Sequence, residues 1–245
     1  MKILYSAVVC LMILPMQADA DTYVKHEIHT DGYYYGGRIT EPVDRVVDVW
    51  IGAGRASYDY LHRRIILDLE RGMLTFVNKD DSTYAETALP LDWSALVTEE
   101  ALAQVEAYKT VGTIGESSGE KEIGGMKCRC YELNTWIPYE DIKYRETEDA
   151  ACFSDDVPID LDMFGRIHEQ LLRLRNYSDE FAESMMRIRG YMIASERIMY
   201  IKGFGVKTTE TIVEMEERDP PAGIYSAPDG FIEKERLTLG DLRGG

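Results

Sequence analysis

"IILDLERGMLTFVNKDDSTYAE", residues 65–86, contains the alternation that decides the fold. Ile65, Leu67 and Leu69 alternate with Asp68 and Glu70, which gives a strand with one apolar face and one wet face. Arg71-Gly72 then closes a tight hairpin onto Met73–Asn78. Asp80-Asp81-Ser82 forms a second turn, leading into Thr83–Leu89. Short strands separated by turn residues are the signature of an antiparallel sheet.

The same grammar extends towards the N-terminus. Tyr23–Thr30, Tyr33–Ile39, Arg45–Ile51 and Arg55–Leu61 are rich in β-branched and aromatic residues. They are separated by breakers such as Asp31-Gly32 and Gly52-Ala53-Gly54. Beyond residue 90 the period changes. Asp92 or Thr98 caps a helix running to about Tyr108, with Glu99-Glu100 in its first turn. Strands resume at Val111 and through Glu122–Asn134. After Pro158, with Asp160 or Asp162 as cap, Phe164, Ile167, Leu171 and Leu174 form one stripe of an amphipathic helix. Ser178 starts a short helix towards Met186, and strands return at Ile188–Lys202 and Val206–Glu216. "GFGVK", residues 203–207, joins two strands as a hairpin turn. "DPPAGIYSAPDGF" is a proline-rich turn that brings Ile224, Tyr225 and Phe231 onto the sheet. Ile123-Gly124-Gly125 and Ile188-Arg189-Gly190 each read as the opening of a long strand.

The first 20 residues, "MKILYSAVVCLMILPMQADA", have the form of a secretory signal peptide: Lys2, an apolar run from Ile3 to about Pro15, and a small-x-small site at Ala18-Asp19-Ala20. The run is shorter than the roughly 20 apolar residues of a spanning helix, and Cys10 lies inside it, which argues against lipidation. The expected product is therefore a periplasmic or secreted chain, residues 21–245, forming a single domain. Its size suits one large β-rich fold. The net charge of −17 argues against nucleic acid and anionic lipid surfaces, which need basic clusters. No later segment approaches spanning length, so no integral membrane protein is expected.

The order of these elements resembles the LolA-like lipoprotein-carrier superfamily, especially its secreted bacterial branch. The resemblance rests on Ile65-Ile66-Leu67-Asp68, Tyr84-Ala85-Glu86 and the terminal Pro228-Asp229-Gly230-Phe231, together with Trp50-Ile51-Gly52, "IGGMKC" and "IRGY". It covers nearly the whole mature chain. It implies an α+β fold in which a curved antiparallel sheet, an open half-barrel, wraps around a few α-helices. It also implies a cavity for a lipid or lipoprotein acyl chain, lined by Ile65, Leu67, Leu69, Phe164, Ile167, Leu171 and Leu174. The same stripes are what any core needs, so an envelope interaction module with a filled core is the alternative. No residue here matches a carrier's headgroup or docking contacts.

No catalytic motif appears, and no enzyme, cofactor or metal site is expected. His26 and His29 lie three apart on a strand and face opposite sides, which is wrong for chelating one ion. His62 sits beside Arg63-Arg64, and His168 flanks the helical stripe; each of the four reads as a surface or half-buried histidine. The 44 acidic residues make pairs such as Asp155-Asp156 ordinary on a solvated surface.

Three cysteines remain after the leader. Cys128 and Cys130 are i and i+2 on a strand and share a face, and Cys152 lies in the next strand. A hairpin of 121–134 with 143–153, centred near residue 140, sets Cys128 opposite Cys152, and export favours oxidation. The expected staple is Cys128–Cys152 with Cys130 free. A register one step along, centred at 141, pairs Cys130 with Cys152 instead.

Overall fold

A computed structural model describes residues 20–201 and 203–243. The expected leader, Ala20 apart, lies outside the described residues. The chain builds two meandering wings that meet at its first strand. The outgoing wing is β1 (Asp21–Thr30), β4 (Val43–Gly52), β5 (Arg55–Asp59), β6 (Arg63–Asp68), β7 (Met73–Asn78) and β8 (Thr83–Ala88). A separate ribbon, β2 (Tyr33–Tyr35) and β3 (Arg38–Thr40), interrupts it. The one strand expected over 33–39 is this ribbon, because Gly36 and Gly37 take positive φ and turn the chain.

Two short helices, α1 (Trp93–Leu96) and α2 (Glu99–Ala107), then carry the chain to the far edge. Both expected caps are used: Asp92 accepts from the Ser94 amide and Thr98 from the Ala101 amide, so one expected helix becomes two. The returning wing is β9 (Val111–Ile123), β10 (Met126–Tyr139), β11 (Ile142–Ser154), α3 (Leu161–Leu174), α4 (Asp179–Met185), β12 (Tyr191–Ile201) and β13 (Phe204–Arg218). Asp160 caps α3 and Ser178 caps α4. The last elements are β14 (Ile232–Glu233) and α5 (Leu239–Arg243).

Among the described residues the main sheet has twelve strands, in the order β14-β8-β7-β6-β5-β4-β1-β13-β12-β11-β10-β9. Only β14 with β8 is parallel, and β9 is the outer edge opposite β14. The architecture is α+β with an open, antiparallel-rich sheet, as the alternation at 65–86 implies. Among the described residues no helix is long and apolar enough to cross a membrane.

One sheet face and α3 share the main core. Val24, Val49, Ile65, Leu67, Leu74 and Phe76 pack in one cluster with Phe164 and Ile167. The other face of the outgoing wing is not simply wet. Ile66 and Val77 are buried there as well, and the segment after β13 runs across that side. Arg64 donates to the Gly223 carbonyl, the Tyr225 hydroxyl to Asp21, and Ile224 packs with Tyr23 and Trp50. Phe231 is only half-buried.

The chain end is held by a buried carboxylate. Asp241 accepts from the Thr238 amide and hydroxyl (2.7 Å each), from Lys234 (2.7 Å) and from Asn78 of β7 (3.1 Å). Lys234 also reaches Asp81 at 2.7 Å.

Two local readings are corrected. The two I-x-G segments are unlike: Gly124-Gly125, both at positive φ, form the β9–β10 turn, whereas Gly190 (φ 124) leads into β12. A β-carbon on Gly190 would lie 2.7 Å from the Ser154 carbonyl oxygen.

The staple joins Cys130 to Cys152, not Cys128 to Cys152, and Cys128 is a buried free thiol. The cause is register. The hairpin turns at Glu140-Asp141, and Trp136 then stands opposite two residues, Arg145 and Glu146. Arg145 adopts a positive φ of 50. This bulge adds one residue to β11, so beyond it Cys130 faces Cys152.

Candidate functional site

The stripe of α3 that faces the sheet does not stop at the core. At its N-terminal end it borders a groove of about 370 Å³ between α3, the end of α4 and residues 188–190. Leu161, Phe164, Met186 and Ile188 supply apolar wall, while Asp162, Arg166, His168, Glu169 and Arg189 supply charge and polarity. Arg189 and Asp162 approach to 3.7 Å, both exposed. The groove is about half open to solvent.

Gly165 lies between these walls. It is the fifth residue of α3, and glycine inside a helix costs about 0.5–1 kcal/mol relative to alanine. Packing does not demand it, because an added β-carbon would meet only Met186 Cε at 3.9 Å. The missing side chain leaves space in the groove.

Beneath the groove lies a buried polar chain. Phe164 stacks on His168 (ring centroids 5.8 Å apart) and packs against Tyr191 (4.9 Å). The Tyr191 hydroxyl bonds His26 Nε2 at 2.9 Å, and His26 Nδ1 lies 2.9 Å from Glu210 Oε1. These residues come from α3, β12, β1 and β13, brought together because β1 and β13 pair antiparallel with β12 alongside.

The electrostatics follow from burial and neighbours. Desolvation pushes the Glu210 carboxyl up, but His26 and Arg175 outweigh it and the group lies below its ordinary value. Desolvation drives the Tyr191 phenol well up, so it remains a neutral hydroxyl. Burial, with the Arg175 guanidinium nearby, lowers His168 to about 4, leaving a neutral imidazole at pH 7. The buried Tyr58 hydroxyl has no hydrogen-bond partner among the described residues. Chemically this is a set of fixed dipoles joined to the His26–Glu210 contact and shielded by Phe164.

The residues expected to line a cavity are brought together, but mostly as core. Ile65, Leu67, Phe164 and Ile167 are buried in one cluster, and Leu69, Leu171 and Leu174 are partly buried against it. Only Phe164 of the seven also lines the groove. His26 is a buried network member rather than a half-exposed histidine; its alternation with Val24 and Ile28 on β1 carried that signal. His29 and His62 are exposed and pair with Asp44 and Asp80. Glu210, in the polar run "KTTET", carried no signal. In comparisons with known proteins, no sequence family and no curated protein matches the chain.

Proposed function

We propose that this is an exported, non-enzymatic protein that binds or carries a hydrophobic ligand, a lipid or lipoprotein acyl chain, in the cell envelope. Its sheet and α3 act as a LolA-like half-barrel, and the ligand enters at the groove over Gly165. The observation that carries this reading is Gly165 itself: a helix-weakening residue standing where alanine fits, beside an apolar wall. The acyl chain lies against Leu161, Phe164, Met186 and Ile188, and the charged rim meets its polar end.

One observation favours a second reading, an interaction module with a filled core. Leu67 and Ile167 are fully buried, so the interior between sheet and helix offers an acyl chain no room without movement.

Titration of the mature protein with a fluorescent fatty acid, alongside mass spectrometry of lipid extracted after native purification, tests the proposal. Wild type should bind the probe. Gly165→Leu should fill the groove and displace roughly four methylenes of ligand at about 0.8 kcal/mol each, a loss on the order of 100-fold in affinity. Folded wild type that binds no probe and yields no lipid would leave the filled-core reading in possession.

A further inference from the structure

Cys128 lies one pleat from a disulfide. Cys128 and Cys130 project from the same face of β10, and Cys152 faces them from β11. The three sulfurs all lie within 4.8 Å of one another. Their surroundings are apolar: Ile193 is buried with them, and Ile123, Met126 and Ile212 pack around. The Cys128 thiol donates to the Lys121 carbonyl at 3.4 Å. The backbone ladders are irregular on both sides of the trio. β10 shifts register against β9 between Arg129 and Tyr131, and β11 shifts against β12 between Cys152 and Phe153.

We propose that the trio is an internal thiol–disulfide exchange site in which Cys128 and Cys130 compete for Cys152. The Cys128 thiol gives its proton to solvent base. The thiolate then forms a bond to Cys152 Sγ as the Cys130–Cys152 bond breaks. The bonding pair leaves on Cys130 Sγ, which takes up a proton from solvent. One disulfide exists before and after, so no oxidant or reductant is consumed.

The geometry also sets the direction of the equilibrium. Directly opposed strand residues bring β-carbons about 4.5–5.5 Å apart, while diagonal neighbours are further away, and a bridge needs about 3.8 Å. Cys130 therefore holds Cys152 at rest. The Cys128–Cys152 bridge is the diagonal one: its sulfurs start within 4.8 Å and close to about 2 Å, which draws Cys128 along β10 towards Cys152. The register shifts on either side are where the ladders can absorb this pull.

Trypsin cleaves after Lys127 and Arg129, so a non-reducing digest separates the two cysteines. Folded wild type held at pH 9 without added thiol, then acid-quenched, should yield a Cys128–Cys152 peptide that grows with time. The rate should rise about tenfold per pH unit below the thiol's pKa. The Cys128→Ser variant should keep Cys130–Cys152 and show only that bridge. Exported Cys130→Ser should carry Cys128–Cys152. Folded Cys130→Ser with both remaining thiols open to alkylation after unfolding would overturn the proposal. Should that variant fail to fold, the wild-type digest decides, and absence of the Cys128–Cys152 peptide at pH 9 overturns it.

Discussion

Replacing Asp241 with asparagine tests how strongly the last helix is held. The carboxylate is almost wholly buried and receives four donors, two on each oxygen. Burial alone would raise its pKa. Lys234, Thr238 and Asn78 reverse that and bring it to about 2 from an ordinary 3.8. A folded-state value below the unfolded one means stability that is full above pH 3.8 and is lost as pH falls through about 2. The shift of about 1.8 units corresponds to roughly 2.4 kcal/mol at pH 7, and about half of that survives at pH 3. Asparagine has one acceptor oxygen, so its amide must face either the Thr238 donors or Lys234 and Asn78. Asp241→Asn should therefore cost about 2–4 kcal/mol at pH 7, a fall of roughly 5–10 °C in Tm for a chain of this size. Urea unfolding at pH 7 and pH 3 measures it, and the variant's deficit should shrink by about 1 kcal/mol in acid. A deficit below about 0.5 kcal/mol at pH 7, or one independent of pH, would refute the reasoning.

Two further outcomes are expected. Gly165→Ala should raise stability by about 0.5–1 kcal/mol in urea melts, because its β-carbon meets only Met186 at ordinary contact distance; a loss would show that the backbone needs glycine there. His168 is held neutral, with a folded value of about 4 against an ordinary 6.5, so wild type should lose stability as pH falls from 6.5 to 4. The loss should reach up to about 3 kcal/mol before solvent screening reduces it. His168→Gln should flatten that window in pH-dependent melts while leaving the Asp241 window below pH 3.8 intact.

Much of the fold could be read from local pattern because most strands pair with their neighbour in sequence. Met73–Asn78 is a strand with the bounds its alternation gives, and Asp160 and Ser178 cap the helices they precede. The staple was legible only as a pair of alternatives. Its register depends on a bulge at Arg145, and arginine carries none of the glycine or asparagine signature of positive φ. The polar chain was hidden for a different reason. His26, Tyr191 and Glu210 are separated by long stretches of sequence and meet only through strand pairing, so no spacing rule could join them. The groove depends on an absent side chain, and a glycine inside a helical stripe reads as mere weakness until the neighbouring walls are known.

The position of β1 has a consequence in time. It is the first strand among the described residues, yet it lies inside the sheet between β4 and β13, with Asp21 opposite Arg218. The β4 partner is available after a few dozen residues, whereas the β13 partner follows some 180 residues after β1. Until then one side of β1 presents unpaired amides and carbonyls, an open edge of the kind that recruits other chains. Joining the two wings is a long-range loop closure, the kind of step that slows β-rich folding towards milliseconds to seconds. A chain stopped after Ser154 would hold two half-sheets with no seam between them. The junction of β1 and β13 thus forms late, and it is a place where an unfinished chain needs a chaperone's cover.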